Sequence, residues 1–222
     1  MKNVIAVVNF KGGVGKSTIA NLLDLPNKLI INLDLAQDAK TINTSQTENF
    51  YQLKEDFGIE SLNEAIEGAF EAGIENVILD TPGSVSDFME VLDKIDYFLI
   101  PFTPGERSIE TTLNTIEIIN SLLDEMTDNR KDKWILILNK YVLEDQVKEL
   151  DILFDKAKEI LENKLIGKTK LKISQVIPRI EKDKISPKEL IKISPIAYGT
   201  FNKRLKEMNE DIKKLIKDKN EL

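Results

Sequence analysis

By Thr18 the chain has already narrowed its own fold. The apolar run Val4-Ile5-Ala6-Val7-Val8 leads into Phe10-Lys11-Gly12-Gly13-Val14-Gly15-Lys16-Ser17-Thr18, and the stretch from Ser17 to Leu23 has the composition of a helix start. An unbroken apolar run of that length is too short for a typical helix and fits a strand buried on both faces, as in a parallel sheet. Strand, glycine-rich turn and helix in that order gather backbone N–H groups around an anion. Gly12, Gly13 and Gly15 let the main chain wrap closely where a Cβ would clash. In such a loop Lys16 reaches the β- and γ-phosphates of a nucleotide, and the Ser17 hydroxyl serves Mg²⁺.

Further along, short apolar runs alternate with helical periodicity. Strands are expected at 28–33, 76–79, 97–100, 134–138 and 171–177. Helices are expected around Leu62, Ala65, Ile66, Ala69 and Phe70, then at 86–94, 109–126 and 144–163, and in the tail from Ala197. Residues 35–59 are polar and read as irregular. Strands alternating with helices predict an α/β fold, a mostly parallel sheet with helices on both faces. Ligands in such folds sit at the carboxyl ends of the strands, where the polar motifs of this chain fall. No repeat or linker divides the sequence, so residues 1–222 are expected to form one domain.

Composition removes several chemistries. Cysteine and histidine are both absent, which leaves no disulfide, no thiolate metal site and no imidazole base. Catalysis would then depend on carboxylates, lysines, hydroxyls and Mg²⁺, a set suited to phosphoryl transfer to water. No apolar stretch has the length of a membrane span, and the first strand begins too early to leave room for a signal peptide, so a cytoplasmic location is expected. The net charge of −7 is uneven. Residues 1–155 carry 13 Lys/Arg against 28 Asp/Glu, whereas residues 156–222 carry 18 against 10. A positive third of this kind marks either a basic face for a polyanion or simply solvated helices.

The loop departs from the ordinary G-x-x-x-x-G-K-[ST] pattern, because Phe10 stands where its first glycine belongs. The segment K-G-G-V-G-K-S-T, with Lys11 inside the loop, resembles the deviant Walker A motif of the ParA/MinD family of P-loop ATPases. That resemblance implies a P-loop NTPase fold, ATP/ADP and Mg²⁺ as ligands, and a homodimer formed with ATP. It assigns nucleotide contacts to Lys11, Gly12, Gly13, Val14, Gly15, Lys16, Ser17 and Thr18, with Lys11 reaching across the dimer to the other subunit's phosphates. Ile78-Leu79-Asp80-Thr81-Pro82-Gly83 resembles the family's Walker B segment, which would place Asp80 beside Ser17 at the metal. Asp34 resembles the aspartate that positions the attacking water. The family's D-x-D-P-Q reads here Asn32-Leu33-Asp34-Leu35-Ala36-Gln37, without the first aspartate or the proline, and Asp38 is an alternative. Asn139 and Pro178-Arg179 resemble adenine-side positions.

By this resemblance the expected activity is slow Mg-dependent ATP hydrolysis in a partition-type ATPase. Its dimer would bind DNA without sequence preference, associate with the nucleoid and respond to a ParB-like or other adaptor protein. Lys182, Lys184, Lys188, Lys203, Arg204 and Lys206 are the candidate DNA contacts, chosen on charge. Two other readings stand beside it. A MinD-like membrane switch would use the apolar stripe Phe201, Leu205, Met208, Ile212 and Leu215 as an anchor. The polar side of that helix mixes Glu207, Glu210, Asp211 and Asp218 with its lysines, so packing on the sheet is the expected fate of the stripe, with membrane binding not expected. A metabolic ATP-dependent enzyme of the same fold is the third, and Lys11 counts against it.

Overall fold

Among the described residues seven parallel strands form the sheet, and their order explains where the polar loops meet. The computed structural model describes residues 2–33, 50–52, 59–84, 86, 89–126, 133–162, 164–172, 174, 176–177 and 187–217. Strands β1 (Asn3–Val7), β2 (Lys28–Asn32), β3 (Phe50–Gln52), β4 (Asn76–Asp80), β5 (Tyr97–Phe102), β6 (Lys133–Tyr141) and β7 (Leu165–Lys172) form one sheet in the order β3-β2-β4-β1-β5-β6-β7. Every pairing is parallel. The first strand is thus central, flanked by β4 and β5, and the loop leaving its carboxyl end lies at the change of winding direction. Crevices of that kind are where open α/β sheets bind ligands.

Period-two alternation divides the strand side chains between two cores. Val4, Ala6, Val77, Leu79, Phe98, Trp134, Leu136 and Leu138 face helices α2 (Ile59–Glu71), α3 (Glu106–Met126) and α4 (Val147–Leu161). On that side the Phe98 and Trp134 rings stack with centroids 4.5 Å apart. Ile5, Val7, Ile30, Ile78, Tyr97, Leu99, Ile135 and Ile137 face α1 (Lys16–Leu22), α5 (Pro187–Ile193) and α6 (Pro195–Lys217). Both faces are covered, so the inner strands are apolar without a break, as their sequence indicated.

Helix α6 places the apolar stripe of the tail. Phe201, Leu205, Met208 and Ile212 are buried against the sheet and Leu215 packs beside them. Asn209 locks the helix to α1, its Nδ2 donating to the Leu22 carbonyl at 3.1 Å and its Oδ1 accepting from the Asp24 amide at 2.6 Å. Tyr97 Oη donates to the Ile216 carbonyl at 3.0 Å. A Cβ on Gly167 would lie 2.2 Å from a Leu215 methyl, so a glycine in β7 permits this approach. Among the described residues no helix is long and apolar enough to cross a membrane.

Several expectations change. The last strand is not 171–177 but β7 at Leu165–Lys172, and residues 176–177 are helical. As the sheet's edge it is only half covered, so Lys168, Lys170 and Lys172 alternate with Gly167, Thr169 and Leu171. Lys168 and Lys172 pair with Asp151 and Glu144, the latter at 2.8 Å. Edge lysines of this kind oppose strand addition, and they hide the strand from a search for apolar runs. The expected helix at 86–94 is a 3₁₀ segment at Met89–Lys94, and β3 and α5 were not anticipated.

Candidate nucleotide site

The loop after β1 is shaped chiefly by buried side chains that lie far away in sequence. Gly13 and Gly15 have φ of 77° and 92°. Gly15 caps α1 in the left-handed region, with no side-chain cap bonded to the helix start. A Cβ at Gly15 would lie 2.4 Å from Asn139 Nδ2, so this position is restricted by both backbone conformation and space.

Asn9, fully buried just before the loop, uses both ends of its amide. Its Nδ2 donates to the Pro101 carbonyl and to Thr112 Oγ1, each at 2.9 Å. Its Oδ1 accepts from the Lys11 amide at 2.8 Å. The Phe10 amide donates to Thr115 Oγ1 at 3.2 Å. Thr112 and Thr115 are themselves buried on the inner face of α3 and donate to the carbonyls of Ser108 and Thr111. Loop entry is therefore fixed to β5 and α3 by a satisfied polar network in an apolar layer, which makes it rigid. These residues were missed from sequence. Their signal was Ser108, Thr112 and Thr115 at i, i+4 and i+7, in step with the apolar Ile116, Ile119 and Leu123.

The loop exit is held from β6. Asn139 Nδ2 donates to the Val14 carbonyl and Lys140 Nζ to the Gly13 carbonyl, both at 2.8 Å. Asn139 Oδ1 accepts from the Lys140 amide at 2.9 Å, and Lys140 takes a φ of 58°, uncommon for a non-glycine residue. Lys16 Nζ donates back to the Asn9 carbonyl at 3.0 Å, which keeps its ammonium over the loop. Lys11, Ser17 and Thr18 are partly exposed, while Gly12 and Gly13 are exposed.

Asp80 ends β4, directly beside Val7 in the β1 register, and is 1% exposed. Thr81 Oγ1 donates to the Val7 carbonyl at 3.0 Å and fastens this strand end to the loop's root. Helix α1 packs against both β1 and β4, so Ser17 and Asp80 stand on adjoining elements at the carboxyl ends of the central strands. A hydroxyl and a carboxylate are hard oxygen donors of the kind Mg²⁺ takes alongside phosphate oxygens, so these residues fit that ion. Among the described residues no group of three or more acidic ligands forms a self-sufficient metal cage.

Other candidates are distributed differently. Asp34, Asp38, Pro178, Arg179, Lys182 and Lys184 lie outside the described residues, as does the side chain of Lys188. Lys203 and Lys206 are exposed on α6, each four residues before an exposed glutamate, Glu207 and Glu210. Arg204 lies close enough to Tyr141 and Glu144 to influence both. Burial raises the Tyr141 phenol above its ordinary value, and the hydrogen bond from Lys172 holds the Glu144 carboxyl below its own.

No protein-family model matches the sequence, and no curated protein matches it. Solved structures do match. Apo McdA from Cyanothece superposes with a TM-score of 0.63 at 17% identity, over 97% of this chain and 100% of that one. MinD from Pyrococcus horikoshii OT3, solved with Mg-ADP, gives 0.60 at 17% identity over 100% of both chains. A ParA-family ATPase from Chlorobium tepidum TLS gives 0.57 at 15% identity, over 92% of this chain and 97% of that one. At that identity the likeness is one of fold: a parallel sheet with helices on both faces, the fold of the ParA/MinD-like P-loop ATPases.

Proposed function

We propose that the chain is an ATP-dependent positioning switch: an ATPase that dimerises around ATP, binds DNA without sequence preference in the dimeric state, and is released by hydrolysis. The observation that carries this reading is the loop at residues 10–18, braced from both sides at the end of the central strand and presenting Lys11 on its partly exposed rim. McdA, MinD and a ParA-family ATPase, all sharing this fold, make the same assignment attractive for the whole chain.

In this reading the amides of the loop and of the first turn of α1 bind the phosphates. Lys16 turns from the Asn9 carbonyl to the β- and γ-phosphates. Ser17 and Asp80 would hold Mg²⁺, which when bound neutralises charge on the phosphate oxygens. Asp34 orients water toward the γ-phosphorus. The water oxygen adds as the bond to the β–γ bridging oxygen breaks, giving ADP and inorganic phosphate. Lys11 of a second copy places a cation on the transferring group, the role in which an arginine finger contributes about 10³–10⁵ in rate. Asn139, Pro178 and Arg179 border the adenine, and an adaptor protein would set the hydrolysis rate. Lys182, Lys184, Lys188, Lys203, Arg204 and Lys206 are the candidate DNA contacts, chosen on charge, with nucleoid association as the cellular consequence.

The test is binding of an arbitrary DNA duplex with ATP–Mg²⁺ and with ADP, across a series of salt concentrations. Binding only with ATP, weakening steeply with salt, is the expected result, because phosphate contacts release counterions. Absence of DNA binding at low salt would refute the DNA assignment. Capture by anionic vesicles in its place would favour the MinD-like alternative, although the apolar stripe of α6 is occupied against the sheet.

A further inference from the structure

Two consecutive residues at the end of β6, Asn139 and Lys140, grip two consecutive carbonyls of the loop across more than a hundred residues of sequence. Asn139 takes the Val14 carbonyl and Lys140 takes the Gly13 carbonyl, both at 2.8 Å. The arrangement is closely fitted. Asn139 is fully buried, and its Oδ1 accepts the Lys140 amide, which helps hold Lys140 at its φ of 58°. Gly15 provides the space, since any Cβ there would strike Asn139 Nδ2.

The consequence follows from peptide geometry. In a planar trans peptide the C=O and the N–H point in opposite directions. The Gly13 carbonyl shares its peptide with the Val14 amide, and the Val14 carbonyl shares its peptide with the Gly15 amide. Holding both carbonyls toward β6 therefore turns the amides of Val14 and Gly15 away from β6, into the hollow of the loop. A cation on the Gly13 carbonyl also polarises its peptide, which strengthens the Val14 amide as a donor. Without these two grips, nothing about the glycines favours that orientation, because both signs of φ are open to them.

We propose that Asn139 and Lys140 are positioning residues for phosphate binding: a clasp that presets the Val14 and Gly15 amides before any ligand arrives. This rests on the nucleotide assignment above but makes a claim that survives separately, because the clasp exists without ligand. It gives Asn139 a task at the loop backbone, and it gives Lys140 a role distinct from the two lysines of the loop itself. Lys140 acts on the loop backbone and needs no contact with phosphate.

The experiment compares Lys140→Met, which keeps the length and loses the charge, with Lys140→Arg, which keeps a donor. Backbone amide order parameters at Val14 and Gly15 are measured by NMR in the ligand-free protein, and affinities are measured for Mg-ADP and for pyrophosphate. Lys140→Met is expected to lower the order parameters of both amides and to weaken both ligands by about tenfold, the loss of one charge-assisted hydrogen bond, with Lys140→Arg within about threefold of wild type. Unchanged order parameters in Lys140→Met overturn the clasp whatever the affinities do. A fall in affinity with unchanged order parameters would show direct phosphate contact instead. Loss of ADP affinity with pyrophosphate unaffected would place Lys140 at the base or ribose and equally overturn it. If the wild type binds neither ligand, the nucleotide assignment fails, while the order parameters still decide the clasp.

Discussion

Asn9 shows most clearly which residues could be recognised in advance and which could not. Lys11, Gly12, Gly13, Gly15, Lys16 and Ser17 announce a phosphate loop through their order, because that local chemistry is written in adjacent positions. Asn9, Thr112 and Thr115 act through contacts spanning about a hundred residues, and each alone reads as an ordinary polar residue. Asn9→Ala would strand the Lys11 amide and the Pro101 carbonyl in a buried layer. It is expected to cost about 1–3 kcal/mol in urea unfolding and to weaken ADP binding in parallel. Gly15→Ala combines a collision at Asn139 with an unfavourable φ and should cost about 1–3 kcal/mol, with nucleotide binding lost. Tyr97 gives a pH signature. Burial, and then the Asp96 carboxylate, push its phenol up to about 12 from an ordinary 10. Below about pH 10 both folded and unfolded states keep the proton; above it the unfolded state releases it first, so stability falls up to about pH 12. Urea midpoints measured across that window should decline in wild type and decline less in Tyr97→Phe.

Among the elements, those that could be read in sequence were the ones buried on both faces. The strands β1, β4, β5 and β6 are continuous apolar runs because helices cover each side of them. The edges obey other rules: β7 alternates lysines with small and apolar residues, and β3 has only three residues within a polar region. Neither resembles an inner strand, so neither was placed correctly beforehand. Helix α6 is the element whose assignment bears most on function, since its stripe could serve a membrane or a core. Met208 is fully buried there, and Met208→Ala should cost about 2–5 kcal/mol in urea unfolding, as a core truncation does. An exposed membrane anchor would show almost no loss at that position.

For the molecule as a whole, charge is uneven along the chain, 13 Lys/Arg against 28 Asp/Glu over residues 1–155 and 18 against 10 over residues 156–222. The two lysines of the loop place positive charge at the rim of the nucleotide site, so two copies brought together without phosphates would repel each other there. In the proposed switch bound ATP supplies the opposing charge, and the assembly state reports the nucleotide. The direct measurement is the molar mass in solution with ATP–Mg²⁺ and with ADP, for the wild type and for Lys11→Ala. The chain weighs 25.2 kDa. A mass near twice that with ATP alone is predicted, with Lys11→Ala monomeric in both nucleotides although it still binds ATP. A wild type that binds ATP and stays monomeric, or a dimer indifferent to nucleotide, would contradict the role given to Lys11 and with it the switch.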